Sequence, residues 1–344
     1  MNRAALIVMS ALLMLAAGCG SDENNSENLP GPEASASQLV VVSFYSSSLA
    51  EEREITVYLP AGYDDVENEE LQYPLVLFLH GANVTPAFYA STVKSSADAL
   101  IESGEAQKMI IAMPNSLGGP FNNPFYTNSV LNGNYEDYIV EDVVSYMDEN
   151  YRTLRTKENR AIMGHSMGAY GAMRIALLHP DVFSAVAAHS GFLDFALAPS
   201  ITGYVLLENG GPGDYTPTSS HPITSLTYAM ASAFSPNLEV EPYYVDFPVT
   251  AEGTSDSAVF AMWDGHDPAK MLSGLTASEV PAIYFDCGLQ DQYALYPFSA
   301  SFADSCEALG IEHTFITYQG DHFSGLPTQI PLALAFFDSV RAVD

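Results

Sequence analysis

Short apolar runs alternate with stretches of helical spacing along most of the chain. Glu54 to Leu59, EITVYL, alternates polar and apolar positions and carries β-branched side chains, which predicts a half-buried strand. The turn AGYDD follows it. Tyr73 to Leu79 (YPLVLFL) and Met109 to Met113 (MIIAM) are continuous apolar runs, the pattern of strands buried on both faces. Arg160 to Met163, Phe183 to His189, Ala282 to Phe285 and Thr314 to Thr317 predict four more strands. Helical spacing runs over Tyr138 to Tyr151, Met167 to Leu178, Phe298 to Leu309 and Pro331 to Val340. Strands alternating with helices predict an α/β fold, with a mostly parallel central sheet and helices on both faces.

The rhythm breaks between Asp194 and about Met262. This stretch is rich in Pro, Gly, Ser and Tyr and shows no clear period. An insertion of this length between core strands predicts a cap or lid over a site at residues 194–262.

The first residues predict a separate fate. Arg3 precedes an apolar run from Ala4 to Ala17, too short to span a membrane comfortably, and the run ends in LAAGC. Small residues directly before a cysteine resemble a bacterial lipoprotein signal, with residues 1–18 as the signal peptide and Cys19 as the lipidated residue. Ala16 stands where leucine is usual. Residues 19–37 are rich in Asn, Ser, Glu and Pro and predict a disordered tether, leaving 38–344 as the folded domain. An exported protein of the cell envelope, periplasm or exterior is the expectation. Any membrane association is expected only through a lipid anchor at Cys19.

Charge narrows the partners. The 344 residues hold 11 Lys and Arg against 42 Asp and Glu, a formal charge of -31. Nucleic acid is an unsuitable partner, because its phosphates would be repelled. The carboxylates are spread along the chain, so they predict a hydrated surface rather than an acidic site. Beyond Cys19 only Cys287 and Cys306 remain, and both pairing and two buried thiols stay open. No His-Glu-x-x-His, no Cys/His cluster, no phosphate loop and no dinucleotide fingerprint occurs, so neither metal nor cofactor is expected. Asp267-Pro268 predicts a helix N-cap followed by proline at the first helical position.

The segment Ala161 to Ala172, AIMGHSMGAYGA, carries the chemistry. Gly-x-Ser-x-Gly between a strand and a helix suits a serine held on a sharp turn with its hydroxyl exposed. Side chains at Gly164 and Gly168 would collide there. Ser166 is the candidate nucleophile. A hydroxyl at its ordinary pKa needs a base, and the base needs an orienting acid. His322 follows the TFITY strand, in a loop at the strand end where sites of open α/β sheets lie. His313 precedes that strand, and His221 and His266 lie before the last two strands. For the acid, Asp286 lies nearer its strand and is suited to capping the turn. Asp291 lies further into the loop and is better placed to reach His322, while Asp194 is the runner-up. Asp321 is expected to face away from the site. The oxyanion donors expected are the Met167 N–H, at the start of the helix, and the Ala82 N–H in FLHGANV. His80 is expected to be structural.

Taken together, EREITVYLPAGYD, YPLVLFLHG, RAIMGHSMGAYGAMRIALLHPDVFSAVAAHSG, IYFDCGLQDQY and GDHF resemble the Putative esterase family of α/β-hydrolases. That group surrounds esterase D and the S-formylglutathione hydrolases and includes feruloyl and acetylxylan esterases and mycolyltransferases. The resemblance implies an α/β-hydrolase fold. It places the family's serine on Ser166, the second aspartate of its Asp-x-Gly-x-x-Asp pattern on Asp291, and the histidine of its Asp-His pair on His322. Two departures stand out: Ala169 replaces a common second glycine, and the 194–262 insertion has no match. Export argues against a glutathione thioester substrate.

The leading expectation is an exported serine carboxylesterase acting through an acyl-enzyme on a small-molecule or polysaccharide-linked ester. Acyl transfer to a sugar or lipid shares that intermediate. A non-catalytic carbohydrate-binding module is a third reading, in which Tyr204, Tyr215, Tyr228, Tyr243 and Tyr244 stack on sugars.

Overall fold

A computed structural model of the chain describes residues 34–211, 221–276 and 278–341. The predicted signal peptide, Cys19 with most of the tether, and Tyr215 lie outside the described residues. The domain begins slightly before the predicted boundary. Ser35 donates its amide to Asp65, and Lys94 donates to the Ser37 hydroxyl, so these residues pack on the domain.

The chain opens with the strands β1 (Gln38–Ser46), β2 (Glu51–Leu59) and β3 (Leu75–Leu79), then α1 (Pro86–Ser103) and β4 (Ile110–Pro114). A two-residue hairpin follows, β5 (Asn128–Ser129) with β6 (Gly133–Asn134). Next comes one long helical stretch, α2 (Tyr135–Asp137), a π turn over Tyr138–Val143, and α3 (Val144–Asn150). Strand β7 (Arg160–His165), α4 (Met167–Leu178) and β8 (Ala185–His189) form the centre. The segment read as aperiodic holds α5 (Ile201–Asn209), α6 (Pro222–Phe234) and α7 (Ser257–Trp263), followed by α8 (Pro268–Leu272). Strand β9 (Ala282–Gly288), α9 (Tyr296–Leu309), β10 (His313–Tyr318) and α10 (Leu326–Val340) complete the domain.

Eight strands form one sheet in the order β1-β2-β4-β3-β7-β8-β9-β10. Strand β2 pairs antiparallel with both β1 and β4, and the pairs from β4 to β10 are parallel. Parallel neighbours need crossover connections, and α1, α4 and α9 supply them. The two-residue pleat sorts side chains to the two faces. Val76, Phe78, Met163 and Ala187 meet α1 and α10, where Tyr89, Val93, Ile330 and Leu334 are buried. Leu75, Leu77, Ile162 and Val186 meet the other layer, with Met173 of α4 and Phe302 of α9. This is the α/β-hydrolase arrangement expected from the sequence.

Some elements escaped the pattern for physical reasons. Strand β1 is an edge strand whose Leu39, Val41 and Tyr45 face solvent, so its apolar positions do not mark a core side. Helix α1 is diluted by Ser, Thr and Ala. Helix α6 is buried over most of its length, including Thr224, Thr227, Tyr228 and Ser232, so it lacks a polar face that would reveal the helical period. Asp267 does cap α8, accepting from the Ala269 amide with Pro268 at the first turn. Cys287 and Cys306 are separate buried thiols, and burial pushes each up to about 12.

Helix α4 sits in backbone contact with the sheet. A Cβ on Gly164 would lie 2.3 Å from the Gly168 carbonyl oxygen, and a Cβ on Gly168 would lie 2.0 Å from the Leu79 carbonyl oxygen. Neither obstacle is a side chain that can turn away. A Gly168→Ala variant is therefore expected to lose about 2 kcal/mol or more of stability by forcing α4 off β3, read as a lowered midpoint in urea unfolding. An unchanged midpoint would show that the helix has room.

Candidate active site

The site lies at the C-terminal ends of the parallel strands. Ser166 occupies the single residue between β7 and α4, at φ 58 and ψ -117. A non-glycine residue in such a region carries strain of about 1–3 kcal/mol, held here by packing on both sides. Its amide donates to the His189 carbonyl at 2.9 Å, and its carbonyl accepts from the Tyr170 amide at 3.1 Å. The serine is thus pinned from its backbone while its side chain faces a cavity of about 340 Å³.

Asp291 and His322 come from the loops after β9 and β10. Those loops are laced together: Leu289 donates to the Tyr318 carbonyl and Gln290 to the Gly320 carbonyl. Gly288 allows the approach, since a Cβ there would lie 2.4 Å from the Gly320 oxygen. The Asp291 Oδ2 lies 2.6 Å from His322 Nδ1, and its Oδ1 accepts from the Tyr293 amide at 2.8 Å. Both side chains are buried, and the rings of Tyr293 and Phe323 pack edge-on against the imidazole. With Nδ1 held by the carboxylate, Nε2 is the nitrogen left for proton transfer. His322 and Ser166 line the same cavity.

Ala82 and Met167 also line this cavity. The Met167 amide opens α4 and so has no intrahelical acceptor. Among the described residues neither amide donates within the protein, although their neighbours do: Gly81 donates to the Tyr89 hydroxyl and Asn83 to Asn123 Oδ1. The residues that bear these two N–H groups thus border the same cavity as the serine.

The other candidate acids and bases are engaged elsewhere. Asp286 does not cap its turn. Register pairs it with His189, and Asp286 Oδ2 lies 2.6 Å from His189 Nδ1, both side chains being buried. Burial pushes the Asp286 carboxyl up, against the opposing pull of His189. Asp194 caps the following turn through the Ala196 amide and accepts from Ser301. Asp321 accepts from the amides of Phe323 and Ser324 within its own loop. His266 packs against Phe234, and His313 stacks on Phe285. Of the tyrosines read as stacking groups, Tyr204 lines the cavity, while Tyr228 is buried between Phe121 and Phe247.

Sequence reasoning missed the links between these loops. His165 precedes the serine and is fully enclosed. Its Nε2 lies 2.8 Å from the His322 carbonyl and its Nδ1 2.8 Å from the Tyr89 hydroxyl. A carbonyl only accepts, so Nε2 carries the proton and the Tyr89 hydroxyl donates to Nδ1. The chain runs from the Gly81 N–H through Tyr89 and His165 to His322, joining three loops. Burial, and then the nearby His322, hold His165 well below its ordinary pKa, so it stays neutral beside His322.

Residues 46–322 match the model of the family described as Putative esterase. The chain belongs to that family. An endo-1,4-beta-xylanase/feruloyl esterase of Xylanibacter ruminicola is 28% identical over 148 residues, covering 41% of this chain and 20% of the relative. An esterase of Mycobacterium tuberculosis is 27% identical over 149 residues, covering 43% of this chain and 31% of the relative. The chain therefore spans a fifth to a third of these relatives. Among solved structures, a ferulic acid esterase superposes with a TM-score of 0.64 at 22% identity, covering 89% of this chain and 99% of that one. An S-formylglutathione hydrolase of Staphylococcus aureus gives 0.61 at 19% identity, covering 88% and 99%. These likenesses show the α/β-hydrolase fold over nearly nine-tenths of the chain.

The Tyr89 hydroxyl serves two buried partners at once. Tyr89→Phe is expected to leave the Gly81 amide and His165 Nδ1 unpaired, costing about 1–3 kcal/mol. Urea unfolding checks this. A variant as stable as the parent would remove the hydroxyl from the network.

Proposed function

We propose that the protein is an exported serine carboxylesterase. In this reading Ser166 Oγ attacks the ester carbonyl while His322 Nε2 takes its proton. The tetrahedral oxyanion rests against the Ala82 and Met167 amides. The carbonyl re-forms, His322 returns the proton to the departing alcohol, and an acyl-enzyme remains. Water, deprotonated by the same nitrogen, then releases the acid. Asp291 holds the imidazole in the tautomer with Nε2 free and stabilises its charge when it is protonated. The observation that carries this reading is a strained serine sharing one cavity with a carboxylate-held imidazole and with Ala82 and Met167.

The cavity favours an apolar acyl group. Phe125, Phe192, Leu226, Met230 and Phe298 line it, and Tyr204 borders it. Residues of the 194–262 segment supply several of these walls, so the segment serves as a cap over the acyl group. Aromatic acyl esters, such as the feruloyl esters named in several relatives, are the substrates we assign. Ser166→Ala is expected to lower ester turnover by about 10⁴-fold or more while keeping the fold. Across a panel of methyl esters, the wild type is expected to favour hydroxycinnamoyl over acetyl by about tenfold or more in kcat/KM. Full turnover in the alanine variant would end the triad reading. A preference for acetyl would end the aromatic one.

Export rests on the apolar run ending at Gly18-Cys19. Expressed in a bacterium, the protein is expected in the membrane fraction, and Cys19→Ser is expected to shift it to the soluble fraction. Retention of the serine variant on membranes would exclude a lipid anchor at this residue.

A further inference from the structure

His80 follows β3 directly and is completely buried. It does not touch the cavity. Both of its ring nitrogens are nevertheless engaged, and their partners fix its chemistry. Nε2 lies 2.8 Å from the Ser116 amide, and Nδ1 lies 2.8 Å from the Gly81 carbonyl oxygen. An amide N–H only donates, so Nε2 must present its lone pair. A carbonyl only accepts, so Nδ1 must carry the proton. One neutral tautomer satisfies both contacts. Burial holds the ring down to about 4, against the opposing pull of the Gly81 carbonyl.

The Gly81 carbonyl belongs to the same peptide unit as the Ala82 N–H. That unit is trans, so its C=O and N–H point in opposite directions. Gripping the oxygen on one side therefore sets where the N–H points on the other. The neighbouring units are anchored too. The Tyr126 hydroxyl donates to the His80 carbonyl at 2.8 Å, the Gly81 amide donates to Tyr89 at 3.1 Å, and the Asn83 amide donates to Asn123 at 2.8 Å. Gly81 is tightly enclosed, since a Cβ there would lie 2.8 Å from the Tyr89 oxygen. A glycine has backbone freedom to let the next peptide unit turn over, so something must hold that unit.

We propose that His80 is a positioning residue for the oxyanion site: its Nδ1–H holds the Gly81 carbonyl and so aims the Ala82 N–H at the developing negative charge. The proposal rests on the esterase reading above and adds to it the residue that orients one of its donors. If the Gly81–Ala82 unit turned over, it would present a carbonyl oxygen to the oxyanion, a repulsive contact in place of a stabilising one.

Two substitutions separate this role from simple filling of the core. In His80→Asn the side-chain amide nitrogen stands near the place of Nδ1 and keeps a donor for Gly81, while Ser116 loses its acceptor. In His80→Gln the amide oxygen reaches toward Ser116, while Gly81 loses its donor. We expect His80→Gln to lose about 100-fold in kcat with KM within about threefold, the size of effect of removing an oxyanion donor. We expect His80→Asn to keep kcat within about tenfold of the parent at a similar loss of melting temperature. Equal kcat losses in the two variants, or none in either, would overturn the proposal.

The wild type gives an independent readout that does not depend on either variant folding. Nitrogen-15 chemical shifts of the His80 ring should report a protonated Nδ1 and a bare Nε2 from pH 8 down to about 5. A proton on Nε2 would overturn the assignment. Fluorophosphonate labelling of the same sample tests the reading underneath. An unlabelled Ser166 would overturn the esterase itself, whichever nitrogen of His80 carries the proton.

Discussion

The backbone contact between α4 and strands β3 and β7 is the constraint on which the site depends. Gly164 and Gly168 let the first turn of the helix approach the strand carbonyls more closely than any side chain permits. That approach leaves a single residue to reverse the chain between strand and helix, and Ser166 takes the strained conformation the reversal demands. The cavity-facing serine and the Met167 amide, which has no intrahelical acceptor, are two results of one packing event. The strain is sustained because the sheet and helix bury large apolar areas on either side of it, so relaxing one residue would cost more than it returned.

Around the elbow the fold uses buried imidazoles as structural connectors. His80, His165 and His189 are all nearly inaccessible, and His322 is scarcely more exposed. Parallel register brings His165, His189 and Asp286 into one row across β7, β8 and β9. In the rings of His80 and His165, a carbonyl on one nitrogen and a donor on the other force a single tautomer. A neutral imidazole with a fixed tautomer acts as a directional link, donating on one side and accepting on the other. Charging such a ring would oblige a donor to face a donor, and burial in a medium of low polarity disfavours that charge. The loops carrying Ala82, Ser166 and His322 are therefore tied by bonds with definite direction.

The helical segment after β8 supplies part of the cavity wall. Its helices carry few charges and bury Thr, Ser and Tyr along with Ala and Met. Hydroxyls are satisfied locally, as with Thr227 on the Ile223 carbonyl and Ser232 on the Ala229 carbonyl. Such helices pack on several sides at once, so an apolar cavity forms between them and the strand ends. The segment contributes cavity walls, while Ser166 and His322 come from the strand ends.

The sequence by itself determined the strand–helix order, the elbow and the two loops that bring Asp291 to His322, since these depend on local spacing: a glycine two residues either side of Ser166, an aspartate five residues beyond Asp286, a histidine just past an apolar run. Local spacing could also rank Asp291 above Asp286. Only the tertiary structure decided why Asp286 is occupied, because its partner His189 lies almost a hundred residues away and meets it through strand register. The same holds for Tyr89, on a helix too rich in Ser and Ala to stand out, and for His80, whose two partners settle which nitrogen bears its proton. Periodicity records which side of an element faces the core. It carries no record of which polar groups meet across elements, and in this protein those meetings orient the groups around the serine.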